Sequence, residues 1–346
     1  MLSHKIYNEL TQDLSVLWNE IYYADSNATY FQSWENINRI ILIQGLKKIN
    51  IYVIFYLGKP VAILPLELCN YKLMKVAKMI GSEFNDINKI LVSDGNEVLV
   101  NSYLYSIEIN VDLLVVNNTN ARMFGAFAHK FRAVIQAETT RLFYDKNKGV
   151  FPRKKVKSDI ERQIRRLEKL GDLNYRQIGI EEYGKFLDEM IIHKRNRFSE
   201  TRVRDTLSSP NSDRLLRNLY SSEGCVSCSV LTLNDDFLAG SIGFLSMNGT
   251  YHYYMPAFNR SFSNFSPSKV HLYFETKFQL EVNKVELFDF TVGSEKYKFD
   301  WINSLEPIYS ICIPITYKGF IWSCILWLKR TLVSNKTTVK IFNFFR

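Results

Sequence analysis

Residues 251–290 read YHYYMPAFNRSFSNFSPSKVHLYFETKFQLEVNKVELFDF. The run from 251 to 255 is typical of a strand, and Ser266-Pro267 places an N-cap serine before a proline at the first helical position. Apolar residues at helical spacing follow, and the run from 285 to 290 is typical of a buried strand. A strand, a helix and a strand in this order predict a right-handed crossover between two parallel strands.

Two further strands are predicted just before this crossover. They span residues 226–233 and 237–245, and polar turn residues follow each of them. Together with the run from 251 they predict three consecutive antiparallel strands. An antiparallel meander that leads into one parallel crossover predicts a mixed sheet, and therefore an α/β fold (α+β, with a mixed sheet).

The start of the crossover helix is a predicted anion site. The first turn of a helix presents free backbone N–H groups and the positive end of its dipole at the carboxyl edge of the sheet. Asn264, Ser266, Ser268 and Lys269 would add amide, hydroxyl and ammonium donors. A pyrophosphate would fit there, and an ordinary capped helix is the alternative that these residues leave open.

Polar residues follow the last strand of the crossover, at the edge where such a sheet places its ligands. Asp289 is unusual because it stands inside an apolar run; it is either a base with a raised pKa or a structural acceptor for backbone donors. Glu295, Tyr297 and Lys298 lie within the next ten residues. Tyr297 is a candidate proton donor for a leaving group.

The first half of the chain is predicted to be mixed α and β. Its predicted elements are two amphipathic helices (7–22 and 34–47), a hairpin (51–56 and 61–66), short apolar runs (79–92 and 111–116) and a helix (121–131). Polar turn residues at 144–149, followed by Pro152, predict a domain boundary. The predicted domains are residues 1–150, residues 151–318 and an apolar, basic tail of residues 319–346.

A basic amphipathic helix is predicted to open the second domain. Ser158-Asp159-Ile160-Glu161 is a capping-box pattern, so we expect the helix to begin at Asp159 and to end before Gly171. Eight cationic and three acidic residues lie between positions 153 and 169. The basic face of this helix has two equally open interpretations: it is exposed to solvent, or it contacts a polyanion. The next predicted helix, 180–198, carries His193 and Arg197.

Composition limits the class of protein. The 346 residues are 47% hydrophobic and carry a net charge of +9, which is typical of two globular domains with a weak attraction for polyanions or anionic membranes. No secretory signal opens the sequence, so a cytoplasmic location is expected. Neither Cys225-Val226-Ser227-Cys228 nor the scattered histidines have the spacing of a metal site, and no metal is predicted.

One apolar run near the C-terminus has two interpretations. Residues 320–328 include two tryptophans and are followed by Lys329-Arg330. The run is shorter than the ~20 apolar residues that cross a bilayer. It is predicted either to pack on the protein as a helix or to lie in a bilayer interface, where residues 320–330 would form a peripheral membrane contact.

The segment 288–301, FDFTVGSEKYKFDW, resembles the CelD-type (BioF2-like) acetyltransferase family, a branch of the GNAT superfamily related to the FemABX aminoacyltransferases. That family has an aromatic-Asp-aromatic strand, then Gly-x-Glu-x-Tyr-Lys, then Trp. Similar motifs occur at residues 31–33, 65–66, 81–86 and 254–268 and in the pair His193 and Arg197. Ser268, Asn259 and Phe198 depart from the family's glycine, aspartate and tryptophan. Because glycine lets a ligand approach the backbone more closely, Ser268 alters the expected pyrophosphate contact.

The resemblance implies two GNAT-like half-domains in tandem, of which the second is active, and acetyl-CoA or another acyl-CoA as donor. The acceptor would be an amino or hydroxyl group, often on a sugar in surface polysaccharide synthesis. The implied site residues are Tyr254, Ser266, Ser268 and Lys269 for the cofactor, with Tyr254 beside the thioester; Asp289, Glu295 and Tyr297 for catalysis; and His193, Arg197 and Lys298 for the substrate.

Two other functions remain open. A Fem-like enzyme would take an aminoacyl group from charged tRNA, and the basic helix 159–170 would then bind phosphates. A GNAT-shaped binding protein without catalysis would instead dock at a membrane through residues 320–330.

Overall fold

The computed structural model of the chain describes residues 1–71, 73–104, 106–119, 134–148, 154–201, 205, 207–221, 224–293 and 295–334. The first elements are β1 (Leu2–Tyr7), α1 (Gln12–Ala24), α2 (Trp34–Gln44), β2 (Ile49–Tyr56), β3 (Lys59–Tyr71), β4 (Met74–Met79), β5 (Leu91–Val92), α3 (Glu97–Leu104), β6 (Leu113–Thr119) and β7 (Val134–Asp145). They are followed by α4 (Lys154–Glu168), β8 (Leu173–Gln177), α5 (Tyr183–Thr201), α6 (Pro210–Arg217), β9 (Val226–Leu233), β10 (Asp236–Leu245), β11 (Thr250–Phe258), α7 (Pro267–Glu281), β12 (Leu287–Val292), β13 (Ser304–Pro314) and α8 (Tyr317–Ser334).

The chain divides into two compact units, and the first is discontinuous in sequence. Unit 1 comprises Met1–Thr139 and Pro307–Arg346, and unit 2 comprises Thr140–Glu306. These boundaries differ from the predicted ones at residues 150 and 318. Residues of β7 after position 140 pair with β12 in unit 2, whereas β13 pairs with β6, so that the C-terminal residues return to unit 1.

Unit 1 contains a mixed sheet in the order β1-β2-β3-β4-β6-β13, with β5 paired to β3. β2 and β3 form the predicted hairpin, and β4 runs parallel to β6. α2 begins at Ser33, whose hydroxyl accepts from the Asn36 N–H, and ends at Gly45 in the left-handed conformation. The core of this unit is formed by apolar residues of β2, β3, β4, β6 and β13 together with α3.

Unit 2 contains a mixed sheet in the order β7-β12-β11-β10-β9-β8. The predicted meander is confirmed because β9, β10 and β11 pair antiparallel in sequence order. The predicted crossover is confirmed as well, since β11 and β12 are parallel and α7 connects them. Helices α4 and α7 share one apolar cluster with β11 and β12, in which Tyr251, Phe288 and Trp301 are buried.

Several predicted boundaries were wrong. α4 begins at Lys154, so Ser158 lies inside the helix and does not cap it. α1 begins at Gln12, where the Thr11 side chain accepts from the Leu14 N–H, instead of at residue 7. The elements that were not predicted include β1, α3, β7, β8, α6 and β13. The helix predicted at 121–131 lies outside the described residues.

Candidate active site

The pairing of β11 with β12 in unit 2 stops partway along both strands, and we call the unpaired stretch beyond it the cleft. The two parallel strands pair only at Thr250 with Leu287, Tyr251 with Phe288 and His252 with Asp289. Beyond these pairs β11 continues to Phe258 and β12 to Val292, which leaves their carboxyl halves apart. Such a gap in a sheet can accept an extended ligand between two strands.

A bulge in β11 lies beside this gap. Across the pairing of β10 with β11, Ile242 opposes Met255 whereas the next residue, Gly243, opposes Tyr253, so the register shifts at Tyr254. Bulges bend a strand and re-aim its side chains, and they are common next to active sites. The Tyr254 ring lies 5.1 Å from the ring of Phe244. The structure thus places Tyr254, which was predicted to bind the cofactor, two residues beyond the last pair of β11 with β12, near the closed end of the cleft.

Helix α7 begins after the carboxyl end of β11, at the open end of the cleft. Its N-cap residue, Ser266, has a left-handed backbone (φ 51°), and its side chain makes no cap hydrogen bond, so the predicted serine cap is wrong in this detail. The Ser266 carbonyl accepts instead from the N–H groups of Lys269 and Val270, at 2.9 and 3.2 Å. In the described part of the chain, no carboxylate lies within 4.0 Å of the Lys269 ammonium, which is therefore available to an anion at this helix end.

Asp289 is fully buried at the point where the strands separate. One carboxylate oxygen, Oδ2, accepts from Arg141 Nε at 2.7 Å and lies 3.0 Å from His252 Nδ1, while Oδ1 accepts from the Thr291 N–H at 2.8 Å. Burial alone would raise the pKa of Asp289, but Arg141 and His252 outweigh it and lower the pKa to about 2. The hypothesis of a base with a raised pKa is therefore wrong, and the alternative of a structural acceptor fits.

The carboxylate of Asp289 supports a bend in β12. Thr291 has a left-handed backbone with φ 57°, which is costly for a β-branched residue, and its N–H donates to Asp289. The pairing of β12 with β7 shifts register between Asp289 and Val292. Gly293 follows with φ 123°, and a Cβ there would lie 2.6 Å from a carboxylate oxygen of Glu295. This irregular segment follows directly after the last pair of β12 with β11.

The buried network continues beyond Asp289 to residues that the sequence analysis missed. Nε2 of His252 lies 2.9 Å from the Ser246 hydroxyl, and His252 is fully buried. Burial lowers the pKa of His252. Arg141 also reaches Glu306, with 3.4 Å between Nη1 and a carboxylate oxygen. A row of polar side chains therefore runs across the sheet at the base of the cleft.

A 3-10 turn, Lys296–Asp300, closes the end of β12. The ammonium of Lys298 donates to the carbonyl oxygens of Phe290 and Val292, at 2.9 and 3.2 Å, and lies 2.9 Å from a Glu295 carboxylate oxygen. These three acceptors use the three donors of the ammonium group. Lys298 therefore positions the strand end and Glu295, which differs from the predicted role in substrate binding.

Glu295, Tyr297 and Arg197 influence one another electrostatically at this turn. Burial would raise the pKa of Glu295, but Lys298 outweighs it and the pKa is lowered, so the carboxylate stays charged. Burial, together with Glu295, raises the pKa of Tyr297, which keeps its phenol protonated. Arg197 acts on both groups through its charge. Tyr297 packs against the apolar cluster that contains Tyr253 of β11.

His193 lies one helical turn before Arg197 on α5 and has other contacts. Its ring stacks on Phe237 with the ring centroids 5.0 Å apart, and its Nε2 is 3.6 Å from a Glu189 carboxylate oxygen. Burial lowers the pKa of His193. Within the described residues, no contact joins His193 to the group around Tyr297, so this predicted substrate residue is not brought to the cleft by the contacts seen.

Comparison with known proteins agrees with this geometry. Residues 154–299 match the family model of an acetyltransferase (GNAT) domain. No curated protein matches the sequence. The family model includes β11, α7, β12 and the turn after it, which together form the cleft. The match supports a transferase.

Solved structures extend the likeness to the whole chain. FemX has a TM-score of 0.64 at 10% identity, covering 92% of this chain and 99% of its own. The C-terminal domain (DUF2156) of a candidate lysylphosphatidylglycerol synthetase from Agrobacterium fabrum has a TM-score of 0.55 at 11% identity, covering 90% and 94%. L-PGS from Bacillus licheniformis has a TM-score of 0.53 at 10% identity, covering 96% and 99%. The chain therefore has a tandem GNAT-like fold.

Proposed function

We propose that the chain is an acyl-CoA-dependent N- or O-acyltransferase of the CelD type, acting on an amino sugar or sugar in surface polysaccharide or cell-envelope biosynthesis. The observation that carries this proposal is the cleft: β11 and β12 pair over three residues and then diverge, and α7 begins at the open end. The resemblance of residues 288–301 to that family supports the choice of acceptor class. Cytoplasmic acyl-CoA would be the donor.

The donor would lie with its pyrophosphate at the start of α7 and its pantetheine arm between the diverging strands. Ser268 and Lys269 would supply a backbone N–H, a hydroxyl and an ammonium group to the pyrophosphate. The arm has backbone amides that can pair with strand edges left open by the divergence. The thioester would then lie beside the bulge at Tyr254, deep in the cleft.

The transfer would use Glu295, Tyr297 and Arg197, at the 296–300 turn. The acceptor nitrogen or oxygen attacks the thioester carbonyl, the C–S bond breaks, and the thiolate leaves with a proton from the Tyr297 phenol. Tyrosinate regains a proton from the acceptor, so that the phenol is restored at the end of the cycle. Glu295 and Arg197 would bind the acceptor, and Asp289 would hold the cleft open without contacting substrate.

Ligand binding can be tested by thermal shift with acetyl-CoA and longer acyl-CoAs. A ligand at ~100 times its Kd stabilises a protein by about 2.7 kcal/mol, so a saturable rise in Tm is expected. The variant Lys269→Ala is expected to bind about tenfold more weakly, because a hydrogen bond to a charged group is worth about 1.5 kcal/mol or more.

Lys277→Ala is the matched control, since Lys277 lies on the same helix with an exposed side chain. It should leave the shift unchanged. If no acyl-CoA raises the Tm, the proposed donor is contradicted. If both variants lose the rise in Tm equally, the proposed pyrophosphate site is contradicted.

The variant Tyr297→Phe tests the proton donor. Removing one hydroxyl is expected to lower kcat by at least about 100-fold, a typical contribution of general acid catalysis, and to leave KM for the donor nearly unchanged. Steady-state kinetics with free thiol release as readout would measure this. Tyr273→Phe, at a partly buried tyrosine of α7 that has no role in the proposed transfer, serves as control. Full turnover in Tyr297→Phe with an intact fold would contradict the assignment.

A second candidate function is transfer from aminoacyl-tRNA. The observation that favours it is the position of the basic helix: Arg166 on α4 donates to the Asn264 carbonyl at 3.3 Å, just before the start of α7. Lys155 and Arg165 are exposed on the same helix, and Lys169 is exposed just after its end. Binding of charged tRNA that falls steeply with salt and is lost in Arg165→Glu, without any acyl-CoA shift, would favour this function. A binding protein without catalysis would show neither effect.

A further inference from the structure

Helix α8 of unit 1 is anchored to the sheet along one face. Trp322 and Leu326 pack against the cluster of Met74, Val76, Leu113 and Cys312. At the start of the helix, Thr316 Oγ1 donates to Asp112 Oδ1 at 2.7 Å, and a Cβ at Gly319 would lie 1.8 Å from the Asp112 carbonyl oxygen. The helix therefore approaches β6 at backbone distance, and its orientation is fixed.

The opposite face of α8 is apolar although it faces solvent. Its exposed side chains include Tyr317 at 77%, Ile321 at 46%, Ile325 at 47% and Leu328 at 52%. Their spacing of four, four and three residues places them in one stripe along the helix. A helix on the surface of a protein ordinarily has charged residues on this side, so the stripe indicates a surface that another apolar phase covers.

The β3–β4 turn adds to this apolar region. The ring of Tyr71 lies 5.5 Å from the ring of Trp322, and Tyr71 itself is 51% exposed. Leu73, two residues later, is 93% exposed. The apolar surface is thus contributed by two elements that are held together by side-chain contact.

The charge of this part of the chain selects the partner. From residue 307 to residue 346 the sequence contains no Asp or Glu and six basic residues: Lys318, Lys329, Arg330, Lys336, Lys340 and Arg346. Lys318 and Lys329 border the apolar stripe in sequence at its two ends. A protein partner would need an apolar groove with an acidic rim, whereas an anionic bilayer offers an apolar phase directly below a negative surface.

We infer that the outer face of α8 docks on an anionic lipid bilayer, with Tyr317, Ile321, Ile325 and Leu328 entering the interface and Lys318 contacting lipid phosphates. No helix in the described part of the chain is long and apolar enough to cross a membrane. The helix would therefore lie parallel to the surface, which matches an apolar stripe on one side and a packed face on the other. This docking surface is separate from the proposed acyl-CoA site.

Vesicle flotation of the full chain tests the docking, without any acyl donor present. We expect binding to phosphatidylcholine vesicles that contain about a third phosphatidylglycerol, and much weaker binding to pure phosphatidylcholine. The double variant Ile321→Ser/Ile325→Ser should bind at least tenfold more weakly, because two apolar side chains no longer leave water for the bilayer interface. The variant Lys318→Gln should bind about fivefold more weakly, and only to the anionic vesicles.

The matched control is Leu42→Ser/Val98→Ser, which removes two exposed apolar side chains from α2 and α3 of the same unit. It should bind like the wild type, and equal melting temperatures would show that the variants fold. The proposal is overturned if the wild-type chain does not bind anionic vesicles, or if both double variants lose binding equally. It is also overturned if the stripe variant abolishes a concentration-dependent dimer of the chain but leaves vesicle binding unchanged. The stripe would then contact a second copy of the chain.

Discussion

Replacing Asp289 with asparagine is expected to lower the free energy of unfolding by about 3 kcal/mol, because it leaves the buried guanidinium of Arg141 without its main counter-charge. The carboxylate is fully buried and lies 2.7 Å from Arg141 Nε. Urea unfolding followed by circular dichroism would measure the loss. Glu286→Gln is the control, since the Glu286 side chain is 57% exposed and its removal should change little.

The same pair predicts a pH dependence. The pKa of Asp289 is about 2 in the folded protein against 3.8 in its ordinary state, a difference worth about 2 kcal/mol. Because the folded pKa is the lower one, this stability is fully present above pH 4 and is lost as the pH falls towards 2. The Asp289→Asn variant should lose this part of the acid sensitivity.

A double-mutant cycle with Arg141→Gln separates the pair from other effects. If the interaction carries the loss, the double variant should be more stable than the sum of the two single losses predicts. Strict additivity would contradict the role given to this pair. Turnover should fall in Asp289→Asn as well, since the bend at Thr291 depends on the carboxylate, but its pH profile should keep the wild-type shape because Asp289 is not the base.

Replacing Lys298 with methionine is expected to cost about 2–3 kcal/mol of stability, because two carbonyl oxygens at the end of β12 and the Glu295 carboxylate lose their donor. The pKa of Glu295, which Lys298 lowers, should rise in the variant. Under the proposed function the acid limb of the pH–rate profile would then move to higher pH. Unfolding curves and a pH–rate profile of the same sample would measure both effects.

Lys277→Met is the control for this variant, because the Lys277 side chain is 56% exposed and its ammonium lies 4.0 Å from a Glu281 carboxylate oxygen. It should change neither stability nor the acid limb. A Lys298→Met variant that loses stability but keeps the acid limb in place would indicate that Glu295 has no part in the chemistry. A variant that keeps full stability would contradict the hydrogen bonds described for the ammonium group.

The crossover could be predicted because its signals are local. Ser266-Pro267 marks a helix start, and the apolar runs on either side mark two strands, so no distant residue was needed. The role of Asp289 could not be predicted in the same way. Its main partner, Arg141, lies 148 residues away in sequence, and only the pairing of β7 with β12 brings the two together. Without that partner, burial alone suggested a raised pKa.

Elements that were missed lack the usual periodicity. β1 reads LSHKIY and is mostly exposed, so an alternating apolar face is absent. β8 reads LNYRQ and lies at one end of the sheet, where polar residues are tolerated. The start of α4 was misplaced because the capping-box pattern at Ser158 occurs inside a helix that already began at Lys154. A local pattern cannot show whether the preceding residues are helical.

The discontinuity of unit 1 has a consequence for how the chain is made. When the ribosome has added Glu306, every strand of unit 2 has been synthesised. Unit 1 still lacks the part of β13 that pairs with β6. The later unit in sequence is therefore the first that can finish folding during synthesis. Until residues 307–346 emerge, the edge of β6 that pairs with β13 has no partner in the nascent chain. An unpaired strand edge can pair with other chains, so chaperones would protect this edge during synthesis.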